Sequence, residues 1–305
     1  MIKRTSLVLL IILLFIISAC SNSNNDSTNE THENNLTIKT TLYPLEYIIE
    51  EIGGNNVEVE TIYPPGVDAH TYEPTSKEIT ELAQADAFVY LGAGMEGFAS
   101  KAASALEKQN VDLVEIGSHD SLFADTAKKG DSDIDPHIWL DPLRMNKMAD
   151  ILLEELIELA PEFEAEFDEN LRVFKEKMIT LDQNFENTLK NKHNKQILVT
   201  HAAYGYWEKS YNIEQLSISG LSTSDEPSQK QLANIARLAK EQQINYVIYG
   251  QNDGNKTAEI IQEHIGADKL TLHNLEVLTD EDIENDADYL SLMEDNLAVL
   301  DKATN

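Results

Sequence analysis

Pro161–Lys190, PEFEAEFDENLRVFKEKMITLDQNFENTLK, has no glycine and no proline after its first residue. Phe163, Phe167, Leu171, Phe174, Met178, Leu181, Phe185 and Leu189 recur in it at steps of three or four, which puts them in one stripe along a helix. Proline suits a first helical position, where its missing amide hydrogen would have had no partner. At 1.5 Å per residue the run would reach ~45 Å, more than the width of a small domain. A coiled coil would need sustained heptads in the neighbouring segments, and these lack them. The run therefore predicts a helix that spans, joins and braces two bodies.

On either side of it, strand-like and helix-like stretches alternate. Before it, strands are expected over Leu36–Thr41, Val57–Tyr63, Ala87–Leu91 and Val111–Ile116, and helices over Leu45–Ile52, Ser76–Ala85 and Met95–Gln109. Gly53 and Gly54 end the first helix, and Ser76 is a candidate cap for the second. After it the pattern restarts, with strands Gln196–Thr200, Ile213–Ser219, Tyr246–Tyr249 and Lys269–His273 and helices Ser228–Gln242 and Lys256–Ile265. Pro227, with Asp225 and Glu226 just ahead, suits the positive end of a helix. Strands separated by helices imply parallel sheets covered on both faces. The expected fold is α/β, with two similar parallel-sheet domains, residues 36–160 and 191–305, joined by one long rigid helix, residues 161–190. The cleft between such domains is the natural place for a ligand.

The N-terminus reads as a targeting segment. Lys3 and Arg4 precede an apolar run from Leu7 to Ile17, too short to span a bilayer and suited to a signal-peptide core. Ile17-Ser18-Ala19-Cys20 resembles the lipobox of bacterial lipoproteins, which makes residues 1–19 the signal peptide and Cys20 the expected lipidation site. Acyl chains in pairs hold a protein at a membrane durably. Cys20 is the sole cysteine, so the chain can form no internal disulfide and offers no other thiolate to a metal. Residues 21–35 are Ser, Asn, Asp, Thr and Glu with His32 among them, a composition that predicts a disordered tether over 20–35. The whole sequence holds 23 basic and 54 acidic side chains, a net charge of −31. Loss of residues 1–19 removes Lys3 and Arg4 and no acid, giving 21 against 54, or −33. Nucleic acid is not expected as a partner, because phosphate contacts need a basic surface.

Three histidines stand in strongly patterned surroundings. His70 lies in Gly66-Val67-Asp68-Ala69-His70-Thr71-Tyr72-Glu73-Pro74, His137 in Asp135-Pro136-His137-Ile138-Trp139-Leu140-Asp141-Pro142, and His201 in Thr200-His201-Ala202-Ala203-Tyr204-Gly205-Tyr206. Each is at or beyond the end of an expected strand, where parallel sheets gather ligand-binding groups. They are 67 and 64 residues apart, so only a whole fold could bring them to one metal ion. Neutral imidazoles suit zinc, copper, iron or nickel, whereas manganese favours more oxygen. Asp253, Glu276 and Asp280 are all in positions from which a fourth donor could come. Asp141, four residues past His137, suits either orientation of that imidazole or a turn with Pro142. A hydrolytic zinc site is disfavoured, since there is no His-Glu-x-x-His helix and no general base beside the three motifs.

These stretches, with His273-Asn274-Leu275-Glu276, resemble the metal-specific solute-binding lipoproteins of bacterial zinc and manganese ABC importers. The likeness runs from Leu36 to the C-terminus. It implies two ligands from each domain, with Glu276 the fourth, and the histidine at 201 marks the zinc-type subgroup. It further implies Zn²⁺ as transported cargo, with Mn²⁺ or ferrous iron as the alternative, and no catalysis. The expected partners are an ABC permease and its ATPase, the lipid anchor at Cys20 holds the chain to the cell membrane from outside, and the protein is expected to be a monomer. Surface adhesion is a further alternative. Two features depart from the family pattern. Ser118–Ile134 carries only His119 where many zinc members have a histidine-rich loop, and Gly250 stands where close relatives often show glutamate.

Overall fold

The computed structural model describes residues 35–123, 134–251 and 254–304. The expected signal peptide, Cys20, His32 and Asp253 lie outside the described residues. The described residues form one compact unit. β1 (Leu36–Thr40), β2 (Val57–Thr61), β3 (Ala87–Tyr90) and β4 (Asp112–Glu115) make a parallel sheet in the order β2-β1-β3-β4. β5 (Gln196–Val199), β6 (Glu214–Ser217), β7 (Tyr246–Gly250) and β8 (Asp268–Leu272) repeat it as β6-β5-β7-β8. Ala87–Tyr90 is buried at all four positions, as a strand covered on both faces must be. In each sheet the chain goes first to one side of its opening strand and then to the other. The carboxyl ends of β1 and β3, and of β5 and β7, therefore flank a switch point where ligands collect.

The helices before the long one are α1 (Tyr43–Gly53), α2 (Ser76–Leu82), α3 (Ala99–Leu106) and α4 (Pro142–Leu159). Thr75, rather than Ser76, caps α2 in a reciprocal pair with Glu78. The long helix α5 runs Glu164–Leu189, and Pro161–Phe163 forms a 3₁₀ turn ahead of it. Its stripe Phe167, Leu171, Phe174, Met178, Leu181, Phe185 and Leu189 is buried throughout. Then come α6 (Gly205–Tyr211), α7 (Gln229–Glu241), α8 (Lys256–Ile265), α9 (Asp280–Glu284) and α10 (Tyr289–Ala303). Ser228 caps α7 with Gln231, so Pro227 precedes the cap and is not inside the helix.

The stripe on α5 meets α1 and α4 on one side and α6 and α10 on the other. Phe174 lies against Tyr47 of α1, ring centroids 6.0 Å apart, while Phe185 lies 6.0 Å from Trp207 and 5.2 Å from Tyr211 of α6. One apolar cluster thus runs from Ile38 in β1 through α5 to Leu300 in α10. A smaller cluster, including Leu198, Ile235, Ala239, Val247 and Ile261, sits between the second sheet and α7 and α8. The two sheet-bearing halves share their main core across the brace. No helix among the described residues is long and apolar enough to cross a membrane.

Candidate metal centre

Each of the four side chains is delivered by a segment locked by its own hydrogen bonds. His70 follows β2 on a loop where the Asp68 carboxylate accepts the His70 backbone N–H at 2.9 Å and Ala69 C=O accepts the Tyr63 hydroxyl at 3.0 Å. His201 comes two residues after β5, at the switch point of the second sheet. His137 is not at a strand end as its pattern suggested. It directly precedes the 3₁₀ turn Ile138–Leu140 that leads into α4, and Asp135 accepts its backbone N–H at 3.0 Å. Glu276 sits on the turn after β8, where Leu275 adopts a left-handed φ of 58°. That conformation is costly for a branched side chain and persists only when neighbours over-determine it. Here Leu275 N–H donates to His273 Nδ1 (2.9 Å), Glu276 N–H to Asn274 Oδ1 (3.2 Å) and Asn274 N–H to Gln251 Oε1 (3.1 Å). With Nδ1 accepting, His273 donates its Nε2 proton to Asp282 at 2.9 Å, so His273 holds the turn and stands outside the site.

His70, His137, His201 and Glu276 converge, one donor atom from each lying within 4.8 Å of every other. Glu276 Oε1 is 3.5 Å from His70 Nε2, 3.6 Å from His137 Nε2 and 3.7 Å from His201 Nε2, and the first two nitrogens are 3.3 Å apart. Tetrahedral bonds of about 2.0–2.1 Å place ligand atoms about 3.3–3.4 Å apart, so the observed edges match a four-coordinate zinc-sized ion. Glu276 Oε1 and His201 Nε2 are both buried without a hydrogen-bond partner. A buried acceptor left unsatisfied costs about 1–3 kcal/mol, and a metal ion shared by both would relieve two at once. His70 and His137 side chains are 4% and 0% exposed, which leaves little water to compete.

The group that orients His137 is Asp135, whose carboxylate lies 2.8 Å from Nδ1 and so turns Nε2 toward the centre. Asp141 does something else. It caps α4 by accepting the N–H groups of Leu143 (2.9 Å) and Arg144 (3.1 Å) and takes the Ser210 hydroxyl at 2.6 Å. Gly205 lets Asp135 come close, since a Cβ there would lie 2.5 Å from its carboxylate oxygen. Burial pulls the His137 imidazole down, but the carboxylates of Asp135 and Glu276 outweigh it and raise it to about 9. Burial dominates at His201 and lowers it to about 3. Burial also opposes ionisation of Glu276, yet the imidazoles of His137, His70 and His201 crowded around it hold its carboxyl well below the usual range. The site thus presents an ionised carboxylate and a neutral imidazole ready for a cation.

A cleft of about 520 Å³ opens onto His201 and Glu276 and is lined also by Asp68, Thr223, Gly250 and Lys256. Gly250 donates its N–H to Thr200 Oγ1 at 3.3 Å and puts no side chain into this cleft. Tyr204, Tyr206 and Trp207, which follow His201, are core residues at 2%, 2% and 0% exposure.

Known proteins share this fold. The zinc-binding lipoprotein AdcA of Streptococcus pneumoniae is 30% identical over 91% of this chain, which spans only 58% of that relative's length. The Zn(II)-bound ZnuA-like domain of the same organism's AdcA superposes with a TM-score of 0.75 at 30% identity, covering 88% of this chain and 99% of the domain. A mutant of the laminin-binding adhesin Lmb of Streptococcus agalactiae gives 0.79 at 27% identity, covering 88% of this chain and 100% of that one. The model of the family described as ZnuA, zinc-uptake complex component A, periplasmic, matches residues 38–303. With the twin parallel sheets and the braced cleft already described, this span shows that the chain belongs to the ZnuA family.

Proposed function

We propose that this protein captures Zn²⁺ outside the cytoplasm and hands it to the permease of an ABC importer, whose ATPase drives uptake. The observation that carries the reading is the buried group of three imidazole nitrogens and one carboxylate oxygen at tetrahedral spacing. His70, His137, His201 and Glu276 would hold the ion, and manganese, which favours more oxygen, suits this set less well. Four protein donors fill a tetrahedral shell and leave no position for a reacting water, which supports carriage over catalysis. Residues 36–160 and 191–305 act as the two walls of the cleft, with 161–190 between them. Cys20 carries the lipid that keeps the protein on the outer face of the membrane, with residues 21–35 as its tether, and the chain works as a monomer. Differential scanning fluorimetry of metal-free protein tests the reading. Zinc at about a hundredfold over its dissociation constant should stabilise the fold by ~2.7 kcal/mol, seen as a raised melting temperature. No shift with zinc would contradict it.

A further inference from the structure

We infer that Asp68 and Thr223 form a latch across the mouth of the metal site that sets how fast the ion leaves; this rests on the zinc-capture reading above. Asp68 divides its carboxylate between the two halves of the molecule. Oδ1 accepts the His70 backbone N–H at 2.9 Å, and Oδ2 accepts the Thr223 hydroxyl at 2.5 Å. Thr223 stands on a loop anchored beside the opposite ligand. Ala202 N–H donates to Gly220 C=O and Ser219 N–H to Thr200 C=O, both at 2.9 Å, on either side of His201. The loop is also closed on itself, with Asp225 accepting the Ser222 N–H at 3.2 Å. One hydrogen bond therefore joins the segment that aims His70 to the segment that carries His201.

The other two donors have no such freedom. The segment of His137 is tied by the Tyr206 hydroxyl on Asp135 C=O (2.6 Å), and the turn of Glu276 by Trp139 Nε1 on Asn274 C=O (2.7 Å). Opening therefore falls to the other pair. Asp68 and Thr223 both line the cleft that leads to His201 and Glu276, so an ion using it passes the latch. Besides the Tyr63 hydroxyl on Ala69 C=O within its own half (3.0 Å), the His70 loop is tied by Gly66 N–H to Leu278 C=O at 2.9 Å, which serves as its pivot. A hydroxyl on a carboxylate is a charge-assisted bond, stronger than a neutral one and broken by a single side-chain rotation. Asp68 and Thr223 are thus positioning residues for release, acting through His70 and His201.

The test uses the chain from residue 21 onward, loaded with Zn²⁺ and mixed with excess chelator in a stopped-flow instrument. Thr223→Val keeps the shape and removes the donor, and zinc should then leave roughly tenfold or more faster. Thr223→Ser, which keeps the hydroxyl, should release at nearly the wild-type rate. A Thr223→Val rate equal to wild type, or equal acceleration in both variants, overturns the latch. Amide hydrogen exchange of the wild type gives a second arm that depends on no variant. Zinc should slow exchange together in residues 66–72 and 219–225, and unchanged exchange in both segments also overturns it. A wild type that takes up no zinc at all defeats the capture reading, and the latch with it.

Discussion

Asp135 lies two residues before His137 and Asp141 four after it, and the fold gives them different work. The sequence pointed to Asp141 as a candidate orienting carboxylate and passed over Asp135. The choice depends on backbone direction: the chain doubles back before His137, bringing the carboxylate of Asp135 2.8 Å from Nδ1, while Asp141 faces the N–H groups of α4. The three histidines were legible because each sits in a patterned stretch far from the others. Glu276 was one acid among several near the C-terminus and stood out only by resemblance, because its placement depends on the left-handed Leu275. We predict that Asp135→Asn lowers zinc affinity roughly 10–100-fold with one ion still bound, since the amide holds the imidazole less well. Competition against a chelator of known affinity measures this.

At the scale of elements, α5 was readable because its stripe keeps helical period without interruption, although the expected first turn, Pro161–Phe163, is 3₁₀. Its neighbours α4 and α10 were not, although their starts are marked by Asp141-Pro142 and by Asp288. Such pairs suit turns as well as helix starts, and burial against α5 decides between them. Phe174→Ala should remove a fully buried ring packed on Tyr47 and cost about 3–5 kcal/mol, seen as a lower midpoint in chemical denaturation. Glu46 on α1 makes a different prediction. Burial, and then the charge of Glu50, push its carboxyl up from 4.5 to about 7, although the Thr61 N–H hydrogen bond opposes them. A carboxyl raised in the folded state binds its proton more tightly there than in the unfolded chain, so it costs stability as pH climbs from about 4.5 to 7. Glu46→Gln should therefore match wild type near pH 4 and exceed it by about 1–2 kcal/mol at pH 8, by denaturation at each pH.

For the whole molecule, the alternation of strands and helices on both sides of one long helix was enough to expect two parallel sheets and a cleft. The strand order was not legible, since it depends on which side of β1 and β5 each crossover returns. Nor was the shared core, which follows from α5 and α10 packing together across the halves. That core makes large hinge motion costly, so zinc should leave the radius of gyration in small-angle scattering unchanged while the cleft loops tighten. The central claim is that three imidazoles and Glu276 select zinc. Calorimetric titration of metal-free protein with Zn²⁺ and Mn²⁺, alongside His201→Ala and Glu276→Ala, tests it most directly. One tight zinc site, weak for manganese and damaged by both substitutions, is the predicted result; tight manganese binding that survives His201→Ala would contradict it.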